Sequence, residues 1–209
     1  MKEYLKITNE DNMELMKRYP DNHFDLAIVD PPYGIDINSS GRLGHYGGKG
    51  KKWDNEIPND IYFKELNRVS KNQIIWGGNY FNLQPTRCFL IWDKQQPEGV
   101  SFASCEFAWT SFNKSAKTFY MRPQNADENR IHPTQKPRAL YQWLLTNYAE
   151  PNFKILDTHL GSGSIAIAVD SVNKIEKMNL TLTACELDKE YYQTATKRIK
   201  EQTTWNSLF

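Results

Sequence analysis

Apolar positions along the chain follow two different periods. Continuous or alternating apolar runs fall at 5–8 (LKIT), 24–29 (FDLAIV), 72–78 (NQIIWGG), 87–94 (RCFLIWDK), 105–112 (CEFAWTSF), 117–121 (KTFYM), 153–157 (FKILD) and 180–186 (LTLTACE), and each predicts a strand. Between them, apolar residues recur at helical spacing over 10–19, 60–70, 138–149 and 189–202, and IAIAVDSV opens a further helix at 165. Pro20-Asp21 breaks the first of these helices, Pro58-Asn59 precedes the second, and Pro137 suits the first turn of the third. Alternation of strand and helix predicts a mostly parallel, doubly wound α/β sheet, with an antiparallel hairpin from the 105–121 segment.

Two stretches lack either period. Residues 38–56 (NSSGRLGHYGGKGKKWDNE) are rich in glycine and lysine and read as a long loop. Residues 122–137 (RPQNADENRIHPTQKP) form a polar, proline-rich connector between a first half, 1–121, and a second, 138–209. At 209 residues the chain is sized for one domain with a real core, so a single domain spanning 1–209 is expected, without internal repeats.

Composition narrows the class without naming a chemistry. The chain is 39% hydrophobic and 24% charged, with a net charge of +1, so any surface for a polyanion must be local. Cys88, Cys105 and Cys185 lie far apart with no metal-binding spacing; they read as reduced core residues, and no metal site is expected. The first twenty residues have no signal-peptide core, and no stretch approaches the roughly 20 apolar residues of a membrane span. A soluble, cytoplasmic protein that does not enter a membrane is the expectation.

Chemistry concentrates where strands end. In open α/β sheets, ligands bind outside the carboxyl ends of the strands. The strand at 153–157 ends on Asp157 and runs through THLGSGS into a helix; Gly161 and Gly163 in that turn allow close backbone approach and precede a helix N-terminus. Alone, such a turn is equally a tight connection. The next strand ends on Glu186, about 20 residues on, where a carboxylate suits ribose hydroxyls, and the pair points to an adenosine-containing ligand. The strand at 24–29 stops against Asp30-Pro31-Pro32-Tyr33. Two prolines stiffen the backbone and remove N–H donors, leaving the Asp30 carboxylate and a proline carbonyl to accept both hydrogens of a planar amino group, while Tyr33 offers a ring for stacking.

DPPY (30–33), DTHLGSGS (157–164) and CELD (185–188), with HPTQKP (132–137) upstream of the glycines, resemble the motifs of S-adenosylmethionine-dependent DNA amino-methyltransferases of the adenine-N6/cytosine-N4 type. The catalytic motif precedes the cofactor motif, as in the circularly permuted β-class. The resemblance implies a Rossmann-like, seven-stranded methyltransferase fold. It also implies catalytic roles for Asp30, Pro31, Pro32 and Tyr33, and cofactor contacts at Asp157, His159, Gly161, Gly163 and Glu186. Thr134 and Lys136 resemble positions near the cofactor's methionine end. Asp157 is expected to face the cofactor's ammonium. Asp30 at the head of the tetrapeptide points to adenine, since cytosine-N4 enzymes often carry Ser there. This chain departs from the family's common Asp-Pro-Phe before the glycines, having Thr158-His159 instead.

A flipped adenine requires double-stranded DNA as partner. Arg42, Lys49, Lys51 and Lys52, interleaved with His45, Tyr46 and Trp53, are the densest basic segment and the candidate phosphate-binding loop; a solvated loop is the plainer reading. Little chain separates the two halves for target recognition, so a homodimer would enlarge the DNA footprint. Other readings are methylation of cytosine N4, of an RNA or of a protein amide, or a catalytically silent DNA-binding partner subunit that keeps the fold.

Overall fold

The computed structural model of the chain describes residues 1–35, 54–97, 99, 103–123, 131–132 and 134–205. The strands are β1 (Leu5–Asn9), β2 (Phe24–Val29), β3 (Ser70–Trp76), β4 (Phe89–Asp93), β5 (Cys105–Thr110), β6 (Lys117–Tyr120), β7 (Lys154–Asp157) and β8 (Thr181–Glu186). The helices are α1 (Asn12–Lys17), α2 (Asp60–Val69), α3 (Arg138–Tyr148), α4 (Ser164–Ile175) and α5 (Lys189–Trp205). Each start has a local cause at α1 and α2, where Asp11 accepts from the N–H groups of Met13 and Glu14, and Asn59 from that of Tyr62.

All eight strands join one sheet in the order β1-β8-β7-β2-β3-β5-β4-β6. β2 is the central strand, parallel to β3 on one side and β7 on the other. Alternation along it feeds two cores. Leu26 and Ile28 pack with Leu140, Leu144, Ile165 and Val169 on the α3/α4 face, whereas Ala27 and Val29 pack with Leu15, Tyr62 and Leu66 on the α1/α2 face. Because β2, β7 and β8 are parallel neighbours, their carboxyl ends deliver Asp30, Asp157 and Glu186 to one edge. None of the described helices is long and apolar enough to cross a membrane.

Three expectations need correction. The sheet has eight strands rather than seven, because Lys117–Tyr120 adds a parallel strand beyond β4. Nor does 105–121 fold as a hairpin: β5 runs antiparallel to β3 and β4, which flank it, and β6 crosses to the far side of β4. The wider separation follows from Leu90 and Ala108, both fully buried and paired across β4 and β5, which outweigh the short polar link that suggested a turn. Finally, Cys88 and Cys185 are buried as expected, but Cys105 is exposed.

The reversed β5 has a positional consequence. It brings its first residues, Cys105 and Glu106, to the same edge at which the parallel strands end, opposite Asp93 and Trp92 of β4. A second close fit closes the glycine turn: Gly163 has φ +74, and a Cβ there would lie 2.6 Å from Ile199 Cδ1 of α5. Gly163→Ala is expected to destabilise the protein by about 2 kcal/mol through left-handed strain and overpacking, read by urea unfolding; unchanged stability would show that Ile199 yields freely.

Candidate functional site

Two cavities open at this edge, one of about 650 Å³ and one of about 260 Å³. Asp30, Pro32, Thr134 and Lys136 line both, so the end of β2 is the partition between them.

Around the partition stands a linear array of alternating charge. Lys136 Nζ lies 2.5 Å from Asp30 Oδ2 and 3.0 Å from Glu106 Oε2, and Lys94 Nζ lies 2.7 Å from Glu106 Oε1. The Lys136 side chain is only 2% exposed, and its aliphatic stem is held with Nζ 5.3 Å from the Trp76 ring centre and 5.6 Å from that of Tyr33. Burial works against the ammonium, but the two carboxylates outweigh it and raise its pKa, so Lys136 stays charged. Burial likewise opposes ionisation of Glu106, yet its two lysines hold it down at about 2. Asp30 is pushed up, chiefly by burial, with Lys136 opposing and the negative charge of Glu106 adding to the rise.

Tyr33 is fixed from several sides. Its phenol donates to Asp30 Oδ1 at 2.6 Å and accepts from Lys136 at 3.2 Å, and its backbone N–H donates to Asp54 Oδ1 at 2.6 Å. The ring stacks on Tyr80 at 4.9 Å between centroids and 13° between planes. Gly77 permits this: its φ is +70, and a Cβ there would fall 2.1 Å from a Tyr33 ring carbon. Tyr80 thus covers one face of the Tyr33 ring and itself remains 42% exposed, so the stacking surface expected of Tyr33 alone is shared by a pair of rings.

The larger cavity is walled by the β1–α1 turn, the glycine turn, the end of β8 and the segment before α3. Gly161, His159 and Glu186 line it, whereas Gly163 does not and serves the packing on α5. Glu186 is already engaged by the backbone, Oε2 accepting from Gly161 N–H and Oε1 from Asp188 N–H, each at 2.9 Å. Burial nevertheless raises its pKa. Asp157 is not on the cavity surface but immediately behind it, 2% exposed, with Oδ1 accepting from His159 N–H at 2.9 Å. Burial pushes this carboxyl up to about 8, so a neighbouring cation would favour its ionised form.

Thr158 and His159 form a local network. Asn12 Nδ2 lies 3.2 Å from His159 Nε2, His159 Nδ1 lies 2.9 Å from Thr158 Oγ1, and that hydroxyl lies 2.7 Å from the Tyr62 phenol. With Asn12 donating, Nε2 accepts and the ring proton sits on Nδ1. Burial lowers the imidazole to about 4, so it is neutral at physiological pH. His159 thus joins α1, α2 and the glycine turn, with its ring set edge-on to Tyr62.

Of the site residues expected from sequence, Asp30, Pro31, Pro32, Tyr33, Thr134 and Lys136 meet at the smaller cavity, and His159, Gly161 and Glu186 at the larger. Lys136 is directed at Asp30 rather than deep into the larger cavity. Arg42, Lys49, Lys51 and Lys52 lie outside the described residues. Glu106 and Lys94 were missed. Lys94 had the signal of a charge just past an apolar strand, as Asp30 did, whereas Glu106, second in β5, had none beyond a polar position in an alternating strand.

Comparison with known proteins gives a family and a fold. The profile of the N6/N4 methyltransferase family, described as DNA methylase, matches residues 75–197. The type II methyltransferase M.BglII of Bacillus subtilis is 24% identical, covering 98% of this chain and 71% of its own length. The type II methyltransferase M.HinfI of Haemophilus influenzae is 22% identical over 93% of this chain and 68% of its own. Among solved structures, M1.HpyAVI in complex with SAM superposes with a TM-score of 0.62 at 20% identity, covering 93% of this chain and 98% of that one. The cytosine-N4-specific PvuII DNA methyltransferase gives 0.59 at 12% identity, covering 96% and 93%. These structural likenesses establish the fold.

Lys136→Met would leave Asp30 without a cation. The expected loss is about 3–5 kcal/mol of stability at pH 7. With the ammonium gone, the folded pKa of Asp30 rises further above its unfolded value of about 3.9, so the penalty grows as pH rises through the folded pKa and fades on acidification. Urea unfolding at pH 7 and pH 5 checks this; an equal loss at both would contradict the pairing.

Proposed function

The chain belongs to the N6/N4 DNA methylase family, and we propose that it transfers a methyl group from S-adenosylmethionine to the N6 amino group of adenine in double-stranded DNA. The observation that carries the reading is the partition: one acidic side chain, Asp30, closes both a cavity of about 650 Å³ and one of about 260 Å³. A nucleoside cofactor suits the first and a flipped base the second.

The residues present fit the cofactor. Glu186 stands at the cavity wall, where a carboxylate accepts from ribose hydroxyls, and Gly161 beside it keeps the wall free of a side chain. Asp157, buried just behind the wall and raised to about 8, would act on a cationic amino acid moiety through its charge from behind that wall. Thr134 and His159 line the same space, the latter as a neutral ring. Bound there, the cofactor supplies an electrophilic methyl group on a sulfonium.

What the protein does is hold the acceptor nitrogen. An exocyclic adenine amine is a poor nucleophile because its lone pair is delocalised into the ring. Asp30 and the Pro31 carbonyl accept its two hydrogens and favour a pyramidal nitrogen, and these contacts strengthen as positive charge develops there. Among the described residues Asp30 Oδ1 accepts from Tyr33 and Oδ2 pairs with Lys136, and each oxygen has further lone-pair capacity for the amine. The Tyr33–Tyr80 pair supplies the aromatic wall of the base cavity. Flipping the base costs a few kcal/mol, offset by phosphate contacts for which Arg42, Lys49, Lys51 and Lys52 are the candidates. Asp30 at the head of the tetrapeptide supports adenine over cytosine.

Labelled S-adenosylmethionine with unmethylated duplex DNA, followed by nucleoside analysis, is expected to place the label in N6-methyladenine; label in N4-methylcytosine, or only in RNA, would overturn the adenine assignment. The Asp157 assignment has its own test. Proton and cation compete for this carboxylate, so binding lowers its pKa and affinity rises with pH up to about 8. Calorimetry is expected to show affinity falling by about tenfold from pH 7 to pH 6, and Asp157→Asn to flatten that dependence. A pH-independent affinity in the unaltered protein would contradict the placement.

A further inference from the structure

The charge array at the partition has more members than the proposed chemistry uses. Amino-group capture needs Asp30 and a carbonyl. The structure also places Glu106 in the base cavity, buried beside Asp30 and tied to it through one shared ammonium.

The geometry sets what this sharing does. Lys136 Nζ sits 2.5 Å from Asp30 Oδ2 and 3.0 Å from Glu106 Oε2, while Glu106 holds Lys94 at 2.7 Å through its other oxygen. Read from the outer end, the order is Lys94, Glu106, Lys136, Asp30, alternating in sign and summing to zero. Glu106 Oε2 meets the ammonium at 3.0 Å, the longer of its two carboxylate contacts, so the hold of Glu106 on Lys136 is the weaker and more adjustable one. Asp30 is the free end of the array and faces both cavities.

We propose that Glu106 is a positioning residue for methyl transfer: by drawing part of the Lys136 ammonium to itself, it keeps the Asp30 carboxylate an incompletely neutralised acceptor for the target amino group. This rests on the reading of Asp30 as that acceptor. If Glu106 lost its charge, Lys136 would pair with Asp30 alone. The carboxylate would then be a weaker acceptor, and the incoming amine would compete with a full ammonium for the same oxygen. Glu106 does not touch the reacting atoms on this account; it acts through Lys136.

The sign of the pH effect follows from the groups around Asp30. Facing it are the Tyr33 phenol on its own loop, Lys136 and Tyr141 from the connector and α3, Glu106 from β5, Lys94 after β4, and Asp157 from β7. Glu106 raises the Asp30 pKa and Lys136 lowers it. Removing the Glu106 charge therefore moves the acidic limb of turnover, where Asp30 must be ionised, to lower pH. Removing Lys94 releases Glu106 to pull harder on Lys136, and moves the limb the other way.

The test is turnover on duplex DNA against pH for the full chain and for Glu106→Gln, Glu106→Asp and Lys94→Gln, with S-adenosylmethionine affinity measured on each as a check of folding. The expected result is that Glu106→Gln lowers kcat at least tenfold, keeps cofactor affinity within about threefold, and shifts its acidic limb to lower pH. Glu106→Asp recovers most of the kcat, and Lys94→Gln shifts the limb to higher pH. An unchanged kcat and limb in Glu106→Gln would overturn the proposal. So would a loss of kcat with an unmoved limb that Glu106→Asp does not relieve, the mark of a merely structural residue. If Glu106→Gln fails to fold, the direction of the Lys94→Gln limb decides. An unaltered protein that transfers nothing to DNA would refute the methyltransferase reading itself, an outcome distinct from a normal enzyme indifferent to Glu106.

Discussion

A buried ammonium has to be shared or it has to be paid for, and Lys136 is shared between two carboxylates from different parts of the sheet. It comes from the connector before α3, Asp30 from the end of β2 and Glu106 from the start of β5. An unpaired charge at 2% side-chain exposure would cost several kcal/mol, so the three segments are obliged to meet. Their meeting builds the wall between the two cavities. Tyr33 is drawn into the same network through its phenol, and its ring then requires Gly77 to lack a side chain.

The sheet topology makes that convergence possible. Parallel strands deliver Asp30, Asp157 and Glu186 to one edge because each ends there. The antiparallel β5 adds Glu106 by beginning there. Burial then gives the carboxylates different characters. Asp157, held by the His159 N–H, rises to about 8; Glu106, between two lysines, falls to about 2 and remains an anion. The same residue types thus suit binding in one cavity and electrostatic adjustment in the other.

Much of this was legible along the chain. β2, β7 and β8 announced themselves as apolar runs ending on an acid, and the glycine turn followed in the expected place. What escaped was what depends on pairing between distant segments. Four residues, NKSA, between two apolar runs read as a hairpin turn, yet β5 pairs with β4 and β3 and leaves β6 to the outer side of β4. Glu106 looked like the polar partner in an alternating strand because nothing local reveals that the strand starts at a ligand edge. Lys136 lay in a recognisable motif, but its target could not be read from spacing: its ammonium meets residues 106 and 30 positions away in a fold order that only the sheet defines. The two glycines after β3 were visible as a strand end, and their purpose, room for Tyr33 and Trp109, was not.

On the proposed reading, Asp30 separates cofactor binding from amino-group capture and serves the second. That reading is tested most directly by Asp30→Ala, comparing S-adenosylmethionine affinity by calorimetry with methyl transfer to DNA. Transfer is expected to be abolished while affinity stays within about tenfold, since most of the proposed cofactor contacts lie on the glycine turn and β8. Wild-type turnover in the variant would contradict it.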